Sequence, residues 1–478
     1  MKKALLVSII LLSMLALAIV PMTMSTTGIP NLKYNVTPTH EQFEEAADFS
    51  TPSDPVGTYL GYDVDIVNGE LYPNGGEGIY VAIIDTGLVS DWALFLPPTA
   101  NVRADLGKGW SYDVAWSKKI KDFVWTPNTN RGFITKAYEG SGHGTHVAST
   151  IVGYQRSTIG VAPHIVLGVA PKATIIPILG LDTWLVDCPD PTYPGYHAGK
   201  VLFRGGDDWM LCSAIDYVAD LAETNGWKII CTNSWGSSEP SPAIRASIDT
   251  AITKGVIFTF AAGNRGMAQM DWPGAYPEVI SAAAGGWTMQ YLGYPPSNPP
   301  SPYRWYLSDV PEMLNTWNNP IEQIYGVPNN YYDNNWQIYL GTLSGRPNAA
   351  LGQTWKDLDV CAPGCYVVGP YKPEAAWSGT AWVNLNAATA YYGLWGTSMA
   401  TPHVAGVAAI VAQNYPNFNQ ADMEWVLKKA ASRIPLSSDT KWLYDQFYGV
   451  EFPNNDHDAG SGWLTADAAL QTAGVYSK

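Results

Sequence analysis

Five short apolar runs constrain this chain more than any other feature. IYVAII (79–84), ATIIPIL (173–179), KIIC (228–231), VIFTF (256–260) and VISAA (279–283) are apolar with little alternation. A strand with one wet face alternates with period two. A strand apolar throughout is covered on both faces, as in a parallel sheet flanked by helices. Helical spacing lies between the runs. Leu211, Ile215, Val218 and Ala222 recur every three or four residues, with Asp207 and Asp208 ahead of them and Asn225-Gly226 as a stop. AIRASIDTAIT (243–253), closed by Lys254-Gly255, is a second such segment. Strands alternating with helices predict an α/β fold with helices on both faces of the sheet.

In such a sheet the working groups collect just past the carboxyl ends of the strands. Reading off those ends gives Asp85-Thr86-Gly87, Asn233-Ser234-Trp235-Gly236 and Ala262-Gly263-Asn264. A serine that cleaves amides needs a base, a carboxylate to orient that base, and donors for the oxyanion. The chain offers one of each: Asp85 in VAIIDTG, His143 in GSGHGTHVAST, Asn264 in AAGNRG and Ser398 in GTSMATPHVAG. Each has a plainer reading. Ser398 suits a helix start, with proline tolerated in the first turn. Asp85 suits a turn, and Asn264 alone is an ordinary loop residue. His143 and His146 lie at i,i+3, whereas the zincin motif needs i,i+4 with a glutamate between them, so His146 reads as structural. The plain readings do not explain why all four stand in the order Asp, His, Asn, Ser.

These four segments resemble the corresponding blocks of the subtilisin-like serine proteases, the subtilases. NSWGS (233–237), YPEVISAAA (276–284) and LDVCAPG (358–364) resemble the family too, and together the matches cover roughly residues 70–470. The resemblance implies an α/β three-layer sandwich with a mostly parallel central sheet, subtilisin-like. It implies a secreted endopeptidase acting on extracellular proteins through an acyl-enzyme. Ser398 is then the nucleophile, His143 the base and later the acid, and Asp85 its orienting carboxylate. The Asn264 amide and the Ser398 backbone N–H supply the oxyanion hole. Ser234, Trp235 and Gly236 are expected to pair with an extended substrate and wall one side of the pocket for the residue before the scissile bond (S1). Ala261, Ala262 and Gly263 form the other wall. Trp235 stands where an aliphatic residue is usual and is expected to narrow or flatten that pocket. Asp271, in AQMDWPGAYP, aligns with the S1 floor, where a carboxylate favours Lys or Arg; a solvated loop aspartate is the open alternative. The chemistry calls for no cofactor. Structural calcium is common in the family, and Asn454-Asn455-Asp456-His457-Asp458 is a candidate set of oxygen ligands, with a polar loop as the alternative.

The start, MKKALLVSIILLSMLALA (1–18), has the charged head, apolar stretch and A-x-A site of a secretory leader. Residues 19–55 read as a short extension or pro-segment, holding the sequon Asn35-Val36-Thr37, and residues 56–478 as the catalytic domain. Aromatic-rich insertions are expected near 183–206, 286–338 and 371–392. Charged residues make up 14% of the chain and the net charge is −15. With no Lys/Arg cluster, nucleic acid and anionic membranes are poor partners, and protein or peptide substrates fit better. Five cysteines leave at least one thiol unpaired. Cys231 is expected to be a buried free thiol, and the pairings Cys188–Cys212 and Cys361–Cys365 stay open. The alternative function is a surface-layer-associated binding or adhesion protein on the same scaffold, working through the aromatic insertions.

Overall fold

The computed structural model describes residues 26–27, 30–35, 58–156, 164–287, 338–433 and 458–477. Its centre is a nine-stranded sheet. Five of its strands are β1 (Tyr80–Asp85), β2 (Thr174–Leu179), β3 (Ile229–Asn233), β4 (Ile257–Ala261) and β5 (Ile280–Trp287). They lie parallel in the order β2-β1-β3-β4-β5. A sixth strand, β6 (Val360–Pro363), adds in parallel to β5, and Ile338–Leu340 pairs antiparallel with Gly285–Trp287 at the far end of β5.

Each of the five apolar runs is a strand that begins one residue later than the run itself. Several continue past it: β3 takes in Thr232 and Asn233, and β5 runs on through Gly285 and Gly286 to Trp287. Polar residues extend the ladder because neighbouring strands and helices bury them as fully as the apolar ones. The order also creates a switch point. From β1 the chain crosses to β2 on one side, then returns to lay β3 on the other, so the carboxyl ends of β1 and β3 open a crevice between them.

Six helices matter for the site: α1 (His143–Val152), α2 (Asp208–Asn225), α3 (Pro242–Thr253), α4 (Thr397–Asn414), α5 (Gln420–Ala431) and α6 (Ala466–Tyr476). Local chemistry sets their ends. The Asp207 side chain caps α2 by accepting from Met210 N, and Gly226 closes it in the left-handed region. Ser241 caps α3 in the same way, with Pro242 at the first helical position. Helices α2 and α3 pack together against one face of the sheet; α1, α4 and α6 pack together against the other. Helix α4 is buried almost all round, from Thr397 to Ala412, so its sequence is apolar without a polar stripe.

The 183–206 insertion is an antiparallel sheet of Asp182–Asp187, Tyr196–His197 and Lys200–Gly205. The 371–392 region is ordered into strand pairs as well, Val367–Tyr371 with Ala390–Leu394 and Ala376–Trp377 with Trp382–Val383. The two insertions meet: His197 stacks on Trp377 at 4.8 Å, Trp382 Nε1 donates to His197 O at 3.0 Å, and Arg204 pairs with Glu374 at 2.6 Å. The leader (1–18), most of the extension, the body of the 286–338 insertion and residues 454–457 lie outside the described residues. Cys188, Cys212, Cys231 and Cys361 are free thiols, and burial pushes the Cys231 thiol up to about 12. Among the described residues no helix is long and apolar enough to cross a membrane.

Candidate active site

Asp85 ends β1 with its carboxylate oxygens 2.8 and 3.0 Å from His143 Nδ1, and both side chains are fully buried. Thr86 N donates to Asp85 Oδ1 at 2.7 Å. Thr86 Oγ1 donates to Ser141 O at 3.1 Å and accepts from Gly144 N at 3.0 Å, which ties the turn after β1 to the first turn of α1. That approach leaves no room at position 144. A Cβ there would stand 2.3 Å from Gly87 O and 3.2 Å from Asp85 Cβ, so the residue after His143 has to be glycine. A carboxylate accepting from Nδ1–H leaves the lone pair on Nε2, the form a base requires. His143 Nε2 is buried and has no hydrogen-bond partner among the described residues.

His146, one turn further along α1, does something else. Its Nε2 lies 3.0 Å from Val367 O, and burial pushes its pKa down to about 3, so it stays neutral and fastens α1 to the neighbouring strand.

Ser398 is the second residue of α4, where the helix dipole favours negative charge. Pro402 stands in the second turn rather than the first, and it has no N–H to give to the carbonyl four residues back. That carbonyl belongs to Ser398, and Ser234 Oγ donates to it instead at 2.8 Å. In return, Ser398 Oγ donates to Ser234 O at 3.0 Å. The serine is therefore docked on the segment after β3, not yet on His143.

Asn264 is held by Thr397, whose N and Oγ1 both donate to Asn264 Oδ1 at 2.9 Å. With its oxygen fixed, the amide turns its nitrogen toward the start of α4. A Cβ on Gly396 would lie 3.2 Å from Asn264 Nδ2, a tight contact, and the φ of +157° there favours the glycine before Thr397-Ser398. Segments distant in sequence thus converge at the carboxyl ends of β1, β3 and β4.

The model of the subtilase family of peptidases matches residues 76–462. The chain belongs to the subtilase family. Subtilisin BL from Lederbergia lenta is 27% identical over 396 residues, covering 83% of this chain and 92% of the relative. M-protease from Shouchella clausii (strain KSM-K16) is 26% identical over a span of equal length, and there the match covers 65% of the relative. Among solved structures, Sphericase is similar with a TM-score of 0.47 and 21% identity, covering 88% of this chain and 96% of that one. This subtilase is a serine endopeptidase of the subtilisin-like kind, and its fold is the mostly parallel α/β sandwich that the sequence predicts.

The substrate side of the subtilase departs from expectation at two residues. Side chains alternate along the extended segment after β3. Ser234 points at Ser398, and Gly236 lies against Asp271, whose Cβ is 2.7 Å from where a Gly236 Cβ would be. Trp235 points the other way. Its indole is 1% exposed and meets Tyr34 and Phe260 edge to face at 5.3 and 5.2 Å. Its ring is thus turned away from Asp271 and does not narrow the space beside it.

Asp271 does lie between the two expected walls, against Gly236 and Gly263, and it is largely buried rather than a solvated loop residue. Ala262 O accepts from Asp271 N at 2.8 Å. The carboxylate already has a cation, however: Arg265 Nε donates to Asp271 Oδ1 at 2.5 Å. Burial raises the Asp271 pKa, and Arg265 opposes that rise.

Of the candidate oxygen ligands at 454–458 only Asp458 is described, and residues 454–457 lie outside the described residues. Asp458 Oδ2 accepts from the buried Arg346 Nε at 3.2 Å, and among the described residues no group of three or more His, Cys, Asp or Glu side chains could hold an ion. Sequence reasoning passed over Thr397, Arg265 and Tyr34. No signal marks Thr397 beyond its place beside Ser398, and none marks Tyr34.

Proposed function

We propose that this subtilase is a secreted endopeptidase in which Ser398, His143 and Asp85 form the catalytic triad and Asn264 serves the oxyanion. The buried Asp85–His143 pair, which leaves the Nε2 lone pair available as a base, is the observation that carries the assignment. The leader-like start supports export, and extracellular proteins are the substrates that follow from it. The reaction begins when Ser398 Oγ leaves Ser234 O, passes its proton to His143 Nε2 and attacks the substrate carbonyl carbon. Catalytic hydrogen bonds often tighten only once substrate is bound. The carbonyl oxygen becomes an oxyanion held by Asn264 Nδ2 and the Ser398 N–H. His143 then returns the proton to the leaving amine as the C–N bond breaks. Water repeats the sequence on the acyl-enzyme, with His143 as base, and frees Ser398.

The direct test is fluorophosphonate labelling of the purified chain, read by peptide mapping. A single adduct on Ser398 that Ser398→Ala abolishes is the expected result. A folded chain that takes no label there overturns the assignment.

Asp271 is the proposed floor of S1, with Arg265 as its internal counter-ion. A substrate lysine has to displace a guanidinium that is itself nearly half exposed. Cleavage after Lys or Arg is therefore expected to be only mildly preferred in the parent chain. Arg265→Ala should raise the Lys-over-Leu ratio about tenfold, because it leaves a buried carboxylate in want of a cation. Asp271→Ala should erase the preference. A peptide library profile that ignores both substitutions removes Asp271 from S1.

A further inference from the structure

The cleft beside Ser398 is not empty along its whole length. Two consecutive residues from near the start of the chain lie in it and bond to opposite sides. Tyr34 N donates to Gly206 O at 3.2 Å and Gly206 N to Tyr34 O at 3.0 Å. Asn35 N donates to Gly236 O at 3.2 Å and Gly236 N to Asn35 O at 3.3 Å. Both bridges are antiparallel. This is how a central strand between two others bonds, and how an extended peptide adds to exposed main-chain edges.

The side chains separate one residue from the rest. Asn31 and Asn35 are exposed and Leu32 and Lys33 half-buried, whereas Tyr34 is 1% exposed. Its ring meets Trp235 edge to face at 5.3 Å, and its hydroxyl donates to Asp208 Oδ1 at 2.7 Å. Asp208 opens α2 directly after the Gly206 edge, and its only ion-pair partner among the described residues is the half-buried Lys33, 3.3 Å away. Burial, and after it the Asp208 hydrogen bond, hold the Tyr34 phenol far above its ordinary pKa, so it remains a donor. The pocket thus has an aromatic wall and one anionic acceptor at the depth of a phenol oxygen.

We infer that this pocket selects a tyrosine side chain in the substrate, with Trp235 holding the ring and Asp208 reading the hydroxyl, and that Tyr34 is its internal occupant. The inference rests on the protease reading above. Register gives the position selected. In an antiparallel pair the partner's number falls by one as the strand's rises by one, so a substrate residue opposite Gly236 is followed two residues later by one opposite Ser234. Ser234 O accepts from Ser398 Oγ, so that later residue is the one presented for attack. The tyrosine stands three residues before it. A pocket that reads a hydroxyl disfavours the analogue lacking it, because the acceptor then loses its donor from the substrate. Phenylalanine fills the same space, and Asp208, whose side chain is 41% exposed, then has only water in place of the phenol, so the discrimination is set by one charge-assisted hydrogen bond.

The test uses the full chain and two fluorogenic peptides that differ only in Tyr or Phe at that position, with cleavage sites mapped by mass. The Tyr peptide is expected to have kcat/KM about tenfold above the Phe peptide, a fold-change typical of one hydrogen bond to a charged, partly exposed acceptor. Asp208→Ala should bring the ratio to about one, and Asp208→Asn, which keeps an acceptor without the charge, to an intermediate value. Melting temperatures check that both variants fold. Tyr34→Ala should lower KM for the Tyr peptide by vacating the pocket, with the Tyr-over-Phe ratio retained. If Ser398 takes the fluorophosphonate label but the peptides are uncleaved, are cleaved equally, or keep their ratio in Asp208→Ala, the pocket assignment is wrong and the protease reading stands. If Ser398 takes no label and neither peptide is cut, both fall.

Discussion

Ser398→Ala is expected to lower kcat against a fluorogenic peptide about a millionfold, with His143→Ala close behind and the double variant no worse than either. That magnitude belongs to subtilisin and is carried over with the family. The non-additivity is what the geometry here adds. In the proposed mechanism His143 Nε2 and Ser398 Oγ act together in forming the acyl-enzyme, so removing either one already removes that step. Asp85→Ala should cost less, because the imidazole keeps its base when its orientation is loosened. Steady-state kinetics on the three single variants and the Ser398/His143 double checks the pattern. Losses that multiply in the double variant would mean that Ser398 and His143 do not act as one unit. Stability should move little with Ser398→Ala, since the hydroxyl makes one hydrogen bond, to Ser234 O, that water can replace.

The sheet and the Asp85–His143 pair were legible in the sequence for different reasons. The strands could be read because burial on both faces leaves an apolar run with no polar alternation, and the ends drifted only where burial also covered polar or small residues, as at Asn233 and Gly285-Gly286. The candidate site could be read because the close approach of β1 to α1 demands glycine at 144 and the backbone φ of +157° favours it at 396, so the motifs record steric limits as well as chemistry. Direction could not be read. Trp235 is aromatic in either orientation, and only the alternation between Ser234 and Gly236 turns its ring toward Tyr34. The pairing of Asp271 with Arg265 was equally hidden, because Arg265 is six residues away along a loop whose course the sequence does not reveal. The insertions near 183–206 and 371–392 form paired strands braced by ring contacts, which have no period to detect. The strand at Tyr34 is the extreme case. It bonds through main-chain groups that every residue carries, to partners on segments around 206 and 236.

Asn264→Ala should reduce kcat by about 10²–10³ with KM nearly unchanged, a loss of roughly 2.7–4 kcal/mol that is again subtilisin's own figure. The split between kcat and KM follows from when the amide acts: its N–H meets the oxygen only after negative charge develops, so ground-state binding does not depend on it. Thr397 makes the prediction specific to this chain. Its hydroxyl donates to Asn264 Oδ1 at 2.9 Å and accepts from Gly263 N at 3.1 Å, fixing the amide plane between the strand end and α4. Thr397→Val keeps the shape and the backbone N–H contact but removes the hydroxyl. It should therefore lower kcat about tenfold, the scale of one lost neutral hydrogen bond, with KM again unmoved. Thr397→Ser, which retains the hydroxyl, should recover most of the rate. A merely structural role would lower thermal stability without separating kcat from KM, and serine would then have no particular power to rescue. In the Asn264→Ala background the valine substitution should cost almost nothing further, because Thr397 acts on the oxyanion only through the amide that has been removed.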